Sequence, residues 1–322
     1  MRALIACGLA TALTLGGCGP AGVTVAEDWT GYSFYALASV GGQRVVVGVD
    51  PAGRRTANLV VVPSRADDDT VLAPSMARAG AETTLLAVPR TGGRAGQLYM
   101  VDRASASLSV VGTLENGRSL IAAGSVLASV ADGRPTRVIN PETWLVTREV
   151  AAVEASGYAA GSRQRPVLCV ASPTPAGLTG QAIELTSGAV LASVEVPGTP
   201  VLGLACSAQR PLVLVGAPGP AGVTADLGAG TLTVAGGSLA EALVTDAAIA
   251  VAVSDNVDTT LIELSADGTR EVRRSVVDGF PAVAGLYAVE GGYLLLGHGE
   301  AAYVGASVDV FPLPGPLISA PA

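Results

Sequence analysis

Ser162, Arg163, Gln164, Arg165, Pro166, Val167, Leu168 returns 45 residues later as Ser207, Ala208, Gln209, Arg210, Pro211, Leu212, Val213. Each copy is a polar turn feeding an apolar run, Val167 to Val170 and Leu212 to Val215, and each is followed by a second hairpin-like segment. A period of this size is the mark of an array of small supersecondary units, a solenoid or a propeller.

The same phase can be followed along the chain. Six turns are preceded by an acid or Asn: Asp50, Asp102, Asn140, Glu184, Asp226 and Glu263, at intervals of 52, 38, 44, 42 and 37 residues. A side-chain oxygen just ahead of a turn accepts from the turn's backbone N–H groups, and the Gly residues that follow supply positive φ. Tyr303 to Phe311 gives a seventh candidate hairpin without the acid. Between the hairpins lie runs of Val, Leu, Ile and Ala, such as Tyr158 to Ala171 and Val283 to Leu296. They are continuous rather than alternating, as in strands covered on both faces. Ala240 to Val253 has the alanines of a helix, but Thr245, Val251, Val253 and the repeat phase favour strands. Four strands in each of seven repeats predict an all-β chain, a single β-propeller of seven four-stranded blades, with six or eight blades as alternatives.

This pattern of apolar pair, acid, small-residue turn and apolar run resembles bacterial propellers of the YVTN and quinoprotein-like type, over about Tyr32 to Phe311. The resemblance implies a fold and an envelope location, and no activity.

Met1 to Gly17 has one early charge, Arg2, an apolar stretch from Ala3 to Leu15, then Gly16 and Gly17, the layout of a secretory signal. The apolar stretch is too short to span a bilayer comfortably. Leu15, Gly16, Gly17, Cys18 resembles the lipobox of bacterial lipoproteins. That resemblance implies that Cys18 becomes the amino terminus and carries the lipid that tethers the protein to the extracytoplasmic side of a membrane. Gly19, rather than Asp, after the lipidated Cys resembles lipoproteins of the outer membrane, where the organism has one. The expected organisation is a signal peptide over 1–17, lipidated Cys18 and a short tether over 18–28, the propeller over 29–313 and a Pro-rich tail over 314–322. Pro312, Pro314, Pro316 and Pro321 make that tail read as unpaired.

Of the 322 residues, 49% are hydrophobic and 14% charged, enough apolar material for a large core, with no composition break to divide it. All nineteen basic residues are Arg, the net charge is -8, and no basic cluster occurs. A nucleic-acid partner is therefore set aside. A monomer is expected.

Cys7 lies in the leader and Cys18 in the lipobox, which leaves Cys169 and Cys206, 37 residues apart in adjacent repeats. Outside the cytoplasm they can pair, and the apolar runs around them equally suit buried free thiols. His298, the one histidine, stands two residues from Glu300, a spacing that on a strand would set a base beside a carboxylate. A turn histidine is the preferred reading. Asp67, Asp68 and Asp69, and Asp255, Asn256 and Asp258, are acidic clusters without the spacing of a calcium loop and read as solvated loops. Nine of the twelve aromatic residues fall near the two ends, Trp29 to Tyr35 and Phe280 to Phe311, and packing at the seam of a closed ring accounts for them better than a ligand patch. No catalytic, metal or cofactor residue is assigned, with calcium or another divalent cation the weaker alternative. The sequence favours a binding or assembly scaffold for a protein or envelope polymer. A metal-dependent, lactonase-like hydrolase and a binder of a small molecule or quinone-type cofactor stand as alternatives. A site assembled in a central channel from several blades has no signature in one sequence.

Overall fold

The computed structural model describes residues 23–79, 83–115, 117–152, 158–197, 201–207, 211–216, 223–226, 231–234 and 239–321. The signal segment and Cys18 lie outside the described residues. Among those described there is no helix, and seven four-stranded antiparallel sheets make up a single propeller.

The chain opens with β1 (Phe34–Val40), β2 (Gln43–Asp50) and β3 (Arg55–Val61). The second blade is β4 (Ser75–Ala79), β5 (Thr83–Val88), β6 (Gly96–Asp102) and β7 (Ser107–Leu114). The third is β8 (Ser119–Ala123), β9 (Val126–Ala131), β10 (Arg134–Ile139) and β11 (Val146–Ala152). The fourth is β12 (Tyr158–Gly161), β13 (Val167–Thr174), β14 (Gly177–Glu184) and β15 (Val190–Pro197). The fifth is β16 (Val201–Cys206), β17 (Pro211–Gly216), β18 (Val223–Asp226) and β19 (Thr231–Val234). The sixth is β20 (Leu239–Val244), β21 (Ala248–Ser254), β22 (Thr259–Ser265) and β23 (Glu271–Val277). The seventh is β24 (Gly285–Val289), β25 (Gly292–Leu296), β26 (Glu300–Val304) and β27 (Val308–Pro312). The last strand, β28 (Leu317–Ser319), joins the first sheet in the order β28-β1-β2-β3.

The Pro-rich end is thus not an unpaired tail. Leu37 pairs with Ser319 and Ala38 with Leu317, across a register shift, and Met76 bridges Pro321 on the second blade. The prolines flank the short strand instead of interrupting it, and each offers a carbonyl: Ser39 N–H donates to Pro316 O at 2.8 Å, and the Tyr287 hydroxyl to Pro321 O at 2.7 Å. The first blade therefore takes its innermost strand from the other end of the chain, which closes the ring. The tether is also shorter than expected. Ala26 N–H donates to Asn58 O, Asn58 Nδ2 donates to Thr24 O, and Val23 packs on the seam, so the folded body begins before Trp29.

The apolar runs become strands because both sheet faces are covered. All seven residues of β21 are buried, and β13 begins with five buried residues in a row. The Ala-rich stretch 240–253 is the β20–β21 hairpin, with Val244 opposite Ile249. The core is a set of wedges between neighbouring sheets. Phe34, Tyr287, Leu294, Tyr303 and Phe311 fill the wedge between the seventh blade and the first, while Trp29, Tyr32, Tyr35, Met76 and Tyr99 fill the next. The terminal aromatics do pack at and beside the seam.

The acid-led turns are the outermost hairpins of the blades. Asp50 accepts from Gly53 N–H, Asp102 from Ala104 and Ser105 N–H, and Asn140 from Glu142 and Thr143 N–H, all between 2.8 and 3.2 Å. In the sixth blade Asp267, not Glu263, has this task. It accepts from Thr269 N–H and from the hydroxyls of Ser265 and Thr269, which hold its carboxyl down at about 2. Residues 227–230 of the fifth hairpin lie outside the described residues. Arginines then tie hairpin to hairpin: Arg54 pairs with Asp309 at 3.1 Å, and Arg148 donates to Ser187 O at 2.7 Å.

Candidate central-channel site

The inner strands β4, β8, β12, β16, β20 and β24 stand side by side around the propeller axis, with β28 completing the circle. They enclose a cavity of about 730 Å³ that reaches the face carrying the turns after β8 and β12, where Gly124 and Arg163 line it. Small residues keep it open: Ala122, Ala160, Gly161, Ala205, Ala242 and Gly285 place no bulk toward the axis. Gly161 is also required by close packing, since a Cβ there would lie 1.7 Å from Ala122 O on the neighbouring strand.

Among the described residues, the polar side chains at this cavity include Arg78 from β4, Arg163 from the turn after β12, Glu241 from β20 and Tyr287 from β24. Arg163 reaches across the axis and donates to Leu286 O at 3.3 Å, with its guanidinium carbon 5.0 Å from the centre of the Tyr287 ring. Arg78 stacks on Phe34 at 3.9 Å, and Phe34 and Tyr287 are themselves 5.2 Å apart. Arg163 faces the water of the channel but is ringed by the blades, so desolvation, with Arg78 nearby, lowers its pKa from the usual guanidinium value. Tyr287 is fully enclosed, and burial drives its hydroxyl well above the ordinary range despite the two guanidiniums.

Glu241 is half-buried on an otherwise apolar strand, with no hydrogen bond and no ion pair to any described residue. Desolvation raises its pKa from 4.5 to about 7. The cost to folding is absent below pH 4.5, grows as pH rises, and is complete above 7, where the folded state must hold an ionised carboxylate that the unfolded chain leaves in water. At about 1.4 kcal/mol per pH unit, the 4.5-to-7 interval limits this cost to about 3 kcal/mol. Glu241→Gln is therefore expected to stabilise the protein by up to about 3 kcal/mol at pH 8 and by nothing resolvable at pH 4. Urea unfolding of both chains at the two pH values measures this, and the same difference at both would contradict it.

The residues singled out by sequence lie elsewhere. His298 is exposed in the turn between β25 and β26 on the opposite face, where its carbonyl accepts from Leu317 N–H, and its side chain is not bonded to Glu300. Asp67 pairs with Arg94 at 3.3 Å and Arg90 at 3.8 Å, Asp68 with Arg44 at 3.9 Å, and Asp69 accepts from Val71 and Leu72 N–H. Asp255 caps its own turn, and Asp258 accepts from Gly279 N–H. These acids are engaged in ion pairs and turns. Cys169 on β13 and Cys206 at the end of β16 form a disulfide, with Cα atoms 5.3 Å apart, between the fourth and fifth blades, where Cys206 is part of the channel wall.

No protein-family model matches the chain, and no curated protein matches it. Among solved structures, a chain of the mitotic checkpoint complex is 14% identical, with 80% of this chain and 84% of that one covered and a TM-score of 0.51. The computationally designed Ika8 protein is likewise 14% identical, with 86% and 79% covered and a TM-score of 0.51. Apo AztD from Citrobacter koseri is 10% identical, with 89% and 97% covered and a TM-score of 0.49. The first two likenesses, at such identities, show the fold and nothing of the activity.

Sequence reasoning missed all four channel residues. Arg163 stands inside the very repeat that revealed the fold, and Glu241 is the one charged residue of Leu239–Val244. A lone charge on an innermost strand was the available signal, but it becomes readable only once the strands are ordered in their sheets.

Proposed function

We propose that this protein is a membrane-tethered, extracytoplasmic binding propeller that engages its ligand through the face on which the channel opens. The observation that supports binding there is the pair Arg163 and Glu241, a guanidinium and an ionisable carboxyl in one cavity that do not pair with each other and have no oppositely charged partner among the described residues. Glu241, half-buried and without a partner, is costly to ionise, and a ligand that satisfies it recovers that cost on binding. The tether rests on the lipobox resemblance at Cys18, and a disulfide suits an oxidising compartment.

Site-specific photo-crosslinking in the native host tests the reading. A crosslinking residue in place of exposed Ala247, in the turn after β20, is expected to trap a specific product, and one in place of His298 on the opposite face is not. Cys18→Ala should abolish the product by releasing the protein from the membrane. Equal trapping on both faces, or none at Ala247, would overturn the assignment of the face.

A further inference from the structure

The chemistry of the two side chains, a guanidinium and a carboxyl in one cavity, carries a statement about ligand chemistry, which rests on the binding reading above. Arg163 offers guanidinium donors beyond the one used on Leu286 O, and Arg78 stands beside it across Tyr287. A planar donor fork in a partly desolvated place selects a carboxylate or another flat oxyanion. Glu241 enters from a different blade and, when ionised, can only accept, so its complement is an ammonium or a comparable cationic donor. The two side chains line one cavity and form no salt bridge with each other. The walls between them are alanine, glycine and aliphatic side chains, and the cavity, about 730 Å³, is in the range of sites that enclose small organic molecules.

We propose that the central channel binds a small zwitterion, a free amino acid or a short peptide, with its carboxylate on Arg163 alongside Arg78 and its ammonium on Glu241. The alanine and glycine lining leaves room for side chains of the ligand, so the charged ends, more than the side chains, set recognition. Tyr287 has its hydroxyl committed to Pro321 O and serves as the wall on which Arg163 rests.

The full chain is screened by thermal shift against the twenty free amino acids singly and a random tripeptide mixture, and the best probe is titrated by calorimetry. The amino-acid and tripeptide arms distinguish the two sources of the same chemistry. The expected result is a Kd below about 1 mM for at least one probe. Acetylating its amine or amidating its carboxylate should each weaken binding roughly ten- to a hundred-fold, the loss of one charge-assisted contact. Glu241→Gln should remove the sensitivity to acetylation, and Arg163→Gln the sensitivity to amidation, a coupling that a merely structural role would not produce. Should either variant fail to fold, the capped probes on the unaltered chain still decide the matter. Absence of any probe binding below about 1 mM, or binding indifferent to both caps, overturns the proposal. That failure leaves the crosslinking at Ala247 standing, whereas loss of the crosslink as well removes the binding reading itself.

Discussion

Ending the chain after Pro316 costs on the order of 5 kcal/mol of stability, because it removes the innermost strand of the first blade. The bonds lost include Leu317 N–H to His298 O, the Tyr287 hydroxyl to Pro321 O, and the pairing of β28 with β1. Leu317 and Ala320 also leave the seam cluster, and Ile318 the neighbouring one. Each bond contributes about 1 kcal/mol net, and each partly buried aliphatic side chain a similar amount. The loss is a large fraction of the roughly 5–15 kcal/mol that holds a domain together. It also opens the ring between the first blade and the second, where Met76 and Leu37 are buried. Urea unfolding of the shortened and full chains measures the effect. A midpoint unchanged by the truncation would show that the ring does not depend on β28.

Removing the disulfide has the next largest effect. Cys169 and Cys206 are 37 residues apart, and the chain-entropy relation gives about 4 kcal/mol for a loop of that length. The bond joins the second strand of the fourth blade to the first strand of the fifth, so it restrains neighbouring sheets as well as the unfolded chain. The paired variant Cys169→Ala, Cys206→Ala is expected to unfold at a correspondingly lower urea concentration. The unaltered chain should approach it on addition of a reductant, and the variant should not respond. Coincident unfolding curves for oxidised and reduced protein would remove the bond from the stability of the fold.

The architecture was legible in the sequence because blades repeat. Turn chemistry at Asp50, Asp102 and Asn140 is local, and the side-chain oxygen and the N–H it caps lie within three residues of each other. Ring closure was not legible. Leu317 to Ser319 is a short strand between prolines, and its partner Leu37 is at the other end of the chain. Local propensity therefore favoured a tail, and tertiary pairing overrode it. The exchange of Glu263 for Asp267 has a local cause, since both stand near one turn and the one closer to the N–H groups prevails. The channel was the least legible part. Arg78, Arg163, Glu241 and Tyr287 come from four blades and more than 200 residues of chain, and their meeting depends on which strand of each blade is innermost. By contrast the conspicuous acids at Asp67 to Asp69 and Asp255 to Asp258 owe their clustering to loop construction.

The most direct measurement is a crystal structure of the full chain grown with the tightest-binding amino acid or tripeptide from the thermal-shift screen. The expected density lies in the central channel, with the ligand's carboxylate within hydrogen-bond distance of Arg163 and its ammonium within the same distance of Glu241. A ligand seated outside the channel, or in it with both charged ends turned away from these two side chains, would contradict the assignment of the site.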